Sequence, residues 1–105
     1  MDNIEKKEIE IEWQGRKENV VLKKLSFGER NDLQEEITDI KYIGSVPQIK
    51  VKTGKLKELS IFKSLLKAPF KISLDEIRNL PNELGELLYN EIDKLNNLSG
   101  EKKGN

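Results

Sequence analysis

Near the start of the chain Ile9, Ile11 and Trp13 alternate with Glu8, Glu10 and Glu12, the period-two pattern of a strand with one buried face. A turn around Gln14-Gly15-Arg16-Lys17 follows, then the β-branched run Val20-Val21-Leu22. This predicts a β-hairpin whose inner face carries Trp13 and part of that run. Such a hairpin is marginal in isolation, so it must lie on helices or pair with a third strand. The candidate third strand is 48–52, where Ile49 and Val51 alternate with charges.

Between these strands the period changes. Ser26-Phe27-Gly28-Glu29 has capping-box spacing and opens a helix that the Leu33, Ile37 and Ile40 stripe carries to about Tyr42. Gly44 is expected to end it, with Ser45-Val46-Pro47 as a loop. A further helix over 55–67 carries Leu56, Leu59, Ile61, Phe62, Leu65 and Leu66, a stripe too wide for one solvated surface. That helix is either central in the core or has an interface on one flank.

The 68–98 stretch is the most heavily punctuated. Ser73 and Glu76 repeat the capping-box spacing, so a short helix starts near Leu74. Pro81 breaks it and suits the first position of a second helix, giving a bent helix pair. Leu84, Leu87, Leu88, Ile92, Leu95 and Leu98 recur there at helical spacing, with Glu83, Glu86, Glu91 and Asp93 on other sides. The expected class is α+β: an N-terminal β-hairpin, with 48–52 as a third short strand, packed on three to four helices. One domain over 1–98 and a flexible polar tail over 99–105 complete the expectation, with fraying from Asn96 onward.

Nineteen basic and nineteen acidic side chains cancel, so no global field draws the chain onto nucleic acid or an anionic membrane. The sign is unevenly spread: residues 50–71 hold seven lysines against Glu58, a net +6, and 72–99 have a net of −4. Two readings account for this: solvated faces of an ion-rich protein, or head-to-tail contact between a basic patch and an acidic one. Cysteine and histidine are both missing, which removes disulfides, thiolate nucleophiles, the usual zinc sites and the commonest general base. The N-terminus lacks an apolar signal core and no run could span a bilayer, so a soluble cytoplasmic protein is expected. Abundant Lys, Glu and Ile fit a thermophile or an AT-rich genome equally.

Candidate chemistry is sparse. Thr53-Gly54-Lys55 has neither the upstream glycine nor the residue order of a phosphate loop. Glu35, Glu36 and Asp39 diverge on a helix, which argues against a cation site. The lysines of 50–71 could follow a phosphate backbone, but arginines and interleaved aromatics are lacking, and Phe62 and Phe70 suit a core. No metal, cofactor, small-molecule substrate or catalytic residue is expected, and an enzyme is not.

Four segments point to a family: Leu25-Ser26-Phe27-Gly28-Glu29-Arg30-Asn31, Ala68-Pro69-Phe70-Lys71-Ile72-Ser73, Ile77-Arg78-Asn79-Leu80-Pro81 and Leu95-Asn96-Asn97-Leu98. Together they resemble tail assembly chaperones of long-tailed phages and their prophage relatives. The resemblance implies a non-enzymatic factor that coats the tape-measure protein, or another tail protein, and self-associates into rings or helical arrays. On that reading the interaction residues are Ile61, Phe62, Leu65 and Leu66 on one helix and Leu84, Leu88 and Ile92 on another. Lys57, Lys63 and Lys67 would meet Glu83 and Glu86 between copies. Glu101-Lys102-Lys103 suits an A-rich slippery codon run, and many members of the family are extended by a frameshift near their C-terminus. The competing classes are a small nucleic-acid-binding regulator and a structural tail or connector subunit.

Overall fold

A computed structural model describes residues 5–97; Leu98 and the expected 99–105 tail lie outside them. The first hairpin forms as its alternation predicts. Strands β1 (Lys6–Trp13) and β2 (Arg16–Lys23) pair antiparallel, Ile9 opposite Val20 and Trp13 opposite Arg16. Gln14 and Gly15 both have positive φ, 52° and 79°, the two-residue turn whose twist matches the strands. Ile11, Val20 and Leu22 are buried on the inner face, while Glu8, Glu10 and Glu12 face out and are exposed.

The third strand of this sheet is not the one expected. It is β5 (Leu65–Lys67), antiparallel to β2 in the order β1-β2-β5. The 48–52 segment belongs instead to β4 (Val46–Val51), paired with β3 (Thr38–Ile43) in a separate two-stranded sheet. Helix α1 (Phe27–Ile37) therefore ends before Ile40, and α2 (Thr53–Ser64) ends before Leu65. Gly44 does not cap a helix. With φ 66° it opens the tight Gly44-Ser45 turn between Ile43 and Val46, where glycine suits the first central position.

Helices α3 (Leu74–Arg78) and α4 (Asn82–Asn96) form the bent pair hinged at Pro81. The box at Ser26 is complete: its Oγ accepts the Glu29 N–H while Glu29 accepts the Ser26 N–H. At Ser73 only the first half forms, the Glu76 N–H donating to Oγ.

The main core joins the inner face of the sheet to α2, α3 and α4 through Ile11, Leu22, Ile61, Ile77, Leu88 and Ile92. Trp13 and Phe70 pack at its edge, ring centroids 5.1 Å apart. A smaller cluster of Leu25, Leu33 and Ile37 lies between α1 and α2. The end of α4 is not frayed at Asn96, which is buried: its Oδ1 accepts the Leu25 N–H (2.7 Å) and its Nδ2 donates to the Ile92 carbonyl (3.0 Å). Among the described residues no helix is long and apolar enough to cross a membrane.

Candidate protein-interaction surfaces

Two surfaces stand out among those whose apolar side chains the fold leaves uncovered. The first is the β3–β4 hairpin, here called the arm, in which every residue from 39 to 51 is exposed. Its register places Ile40 opposite Ile49 and Tyr42 opposite Pro47, with Val51 opposite Thr38 at the base. One face is thus apolar, and the other carries Asp39, Lys41, Gln48 and Lys50, with Ile43 and Val46 beside the turn. Tyr42 and Ile49 each retain 68% of their accessible surface, so they contribute almost nothing to packing within this chain. Only the root is fixed: the Lys52 N–H donates to the Ile37 carbonyl (2.7 Å), and Lys52 pairs with Asp39 at 3.5 Å.

The second surface is a groove of about 520 Å³ between the end of β1 and the start of α4. Ile11 and Leu84 form its floor, and Trp13, Pro81 and Leu87 its walls. Glu12 and Glu83 stand at its rim, both exposed and neither ion-paired among the described residues. Its size falls within the roughly 300–1,000 Å³ of side-chain and ligand pockets.

The interaction residues expected from the sequence separate into two groups. Ile61, Leu65, Leu84, Leu88 and Ile92 are buried in the main core, which corrects their assignment to a surface: the stripe on α4 is needed to close this chain's own core. Phe62 and Leu66 are exposed, at 38% and 44%. Sequence reasoning missed the arm, because Ile37 and Ile40 at helical spacing masked the alternation of Thr38, Ile40 and Tyr42. It also missed the groove, which depends on the approach of elements distant in sequence.

The charges expected to act between copies are partly spent within one. Lys57 pairs with Glu86 (2.9 Å) and lies over the Tyr89 ring, 5.8 Å from its centroid; Lys63 pairs with Glu36 (3.5 Å). Those contacts join α2 to α4 and α1 across the apparent segregation. Lys67 and Glu83 are exposed without an ion pair among the described residues. Asp39 sits on a strand rather than beside Glu35 and Glu36, so that trio does not converge.

Elsewhere the titratable groups serve to tie elements together. A hydrogen bond from Lys7 (2.6 Å) holds the Glu91 carboxyl below its usual range against the opposing effect of burial, and the charges of Lys7 and Lys94 add to it. Burial pushes Glu29 upward, but hydrogen bonds from Lys23 and the Ser26 N–H outweigh it and leave that carboxyl low. Both groups are structural: Lys7–Glu91 joins β1 to α4, and Lys23–Glu29 joins β2 to α1. Known protein families, curated proteins and solved structures offer no match to this chain.

Proposed function

We propose that this chain is a non-enzymatic tail assembly chaperone, which holds the tape-measure protein of a long-tailed phage or prophage and associates with copies of itself. The observation that carries the reading is the exposure of large apolar side chains. Among the described residues eleven remain uncovered, six of them on the arm, whereas isolated exposed hydrophobics are ordinary on a soluble protein. Contiguous apolar surface in so charged a chain supports a protein-binding role. The four segments that resemble tail assembly chaperones supply the choice of partner. For the tape-measure helix the flank that the sequence marks and the fold leaves exposed is Phe62 and Leu66, since Ile61, Leu65, Leu84, Leu88 and Ile92 fill the core.

Co-expression with a tape-measure fragment tests the reading. The fragment is expected to be soluble and captured with the chain, and a folded Phe62→Asp variant to lose most of that capture. A fragment that precipitates equally with and without the chain overturns the proposal, as does finding the chain as a stoichiometric component of purified particles, which assigns it to the virion instead.

A further inference from the structure

The arm is a sheet of two strands only, so among the described residues both of its outer edges lack a neighbouring strand. Its root shows which backbone groups line those edges. The Lys52 N–H donates to the Ile37 carbonyl (2.7 Å), and along an antiparallel ladder mutually bonded pairs alternate with unbonded ones. Asp39–Lys50, Lys41–Gln48 and Ile43–Val46 are therefore the bonded pairs. Thr38, Ile40 and Tyr42 on β3, and Pro47, Ile49 and Val51 on β4, turn their backbone groups outward. The two edges are not equivalent. Pro47 has no N–H, which blunts the β4 edge. On β3, Ile40 and Tyr42 keep both donor and acceptor; Thr38 has already given its N–H to the Glu35 carbonyl at the end of α1.

We propose that two copies join their β3 edges, antiparallel and about a two-fold axis, so that the two arms become one four-stranded sheet. This deepens the self-association half of the function proposed above and rests on that half alone; the tape-measure partner plays no part in it. What commits the edge to a second copy is the order Asp39-Ile40-Lys41. The acid and the base flank Ile40 and share one face of the strand. Run antiparallel against itself with Ile40 opposite Ile40, the segment sets Asp39 against Lys41 of the second copy, and the two-fold axis repeats that pair. Lys41 has no ion pair among the described residues, and Asp39 has only its 3.5 Å contact with Lys52 at the root. The neighbouring register sets Lys41 against Lys41, and like charges directly opposite destabilise a sheet. The β4 edge has no such self-complementarity, because Gln48-Ile49-Lys50 contains no acid. In the favoured register Ile40 bonds Ile40 of the second copy in both directions, and the Tyr42 N–H meets the Thr38 carbonyl of the second copy. Side-by-side pairing leaves both apolar faces on the same side of the new sheet, joined rather than covered. Strand edges of this length bury less than the roughly 1,000 Å² of a stable interface, so the dimer is of the transient class and forms at high concentration. The contact is two-fold and Pro47 blunts the outer edges, so growth stops at the dimer.

The chain contains no cysteine, so single introduced thiols report the contact. Asp39 and Lys41 are both exposed, and full-length Asp39→Cys and Lys41→Cys chains are mixed at high micromolar concentration in a glutathione redox buffer. Only the mixture sets two thiols directly opposite, and it keeps one of the two charge pairs. It should give roughly tenfold more disulfide-linked dimer than either variant alone. Lys41→Cys linking to itself as efficiently as the mixture means the like-charged register, and overturns the proposal. No preference for the mixture, from chains that still sediment above the 12.1 kDa monomer, overturns the edge contact and leaves the chaperone reading standing. A wild-type chain that stays at 12.1 kDa up to millimolar concentration overturns both the contact and self-association, whatever tape-measure capture shows. A pair of proline variants identifies the edge. Ile40→Pro and Ile49→Pro each remove one outward N–H and no hydrogen bond within the arm. With the circular dichroism spectrum unchanged in both, Ile40→Pro should weaken dimerisation about tenfold and Ile49→Pro by less than about twofold. Equal effects, or a larger one from Ile49→Pro, overturn the assignment to β3.

Discussion

Asn96 shows how one polar residue can hold two distant segments together. Its buried amide accepts from the Leu25 N–H and donates to the Ile92 carbonyl, so the end of α4 is tied to the entry of α1. Asn96→Leu leaves the Leu25 N–H buried without an acceptor, and should cost about 1–3 kcal/mol in chemical denaturation, with the fold otherwise intact. Nothing in the local sequence marks this role, because Asn near a helix end followed by polar residues is the ordinary signature of fraying. The acidic side chains behave more conventionally. Glu91 has a folded-state pKa below its unfolded value, so its contribution is fully present above roughly pH 4.3 and is lost as the pH falls through the lower folded value. The melting temperature should therefore hold steady from neutrality to about pH 5 and then fall. Glu91→Gln should make that fall shallower.

At the scale of elements, the capped and proline-punctuated parts were legible in the sequence. Ser26 and Ser73 open helices where the spacing places them, and Pro81 separates α3 from α4. The first hairpin follows from strict alternation and a Gly-containing turn. What misled was apolar spacing compatible with two periods. Ile37 and Ile40 continue the helical stripe of Leu33, yet Thr38, Ile40, Tyr42 and Ile43 are residues that favour strands. The strand prevails there although no core rewards it, and Pro47 is tolerated because both strands of the arm are edges. At the other end of α2, Leu65 reads as another helical leucine, whereas pairing with Leu22 converts it to β5. Because the arm beyond its root packs on nothing in this chain, Ile49→Ser should shift the unfolding free energy by less than about 0.5 kcal/mol in chemical denaturation. A destabilisation of core size would show that the arm packs within its own chain.

For the molecule as a whole, the contrast between filled core and open surface decides which variants inform. Leu88 is fully buried at the centre of the core, so Leu88→Asp should abolish cooperative folding and says nothing about partners. Phe62 is partly exposed on α2, so Phe62→Asp should preserve the circular dichroism spectrum. The two substitutions look equivalent in sequence and should differ completely in a melt. Charge follows the same logic: the net balance is zero, and two lysines of the basic stretch, Lys57 and Lys63, pair across α1, α2 and α4 within one chain. One consequence of the root of the arm is mechanical. Strand β3 leaves α1 without a loop and β4 returns to α2 across the single residue Lys52, so the arm is a lever clamped between two packed helices. With six residues per strand it reaches about 20 Å, and a tilt of about 10° at the α1–α2 contact swings its tip by about 3.5 Å. The packing of Leu33 and Ile37 against Leu56 and Leu59 thereby sets the aim of a surface that those side chains never touch.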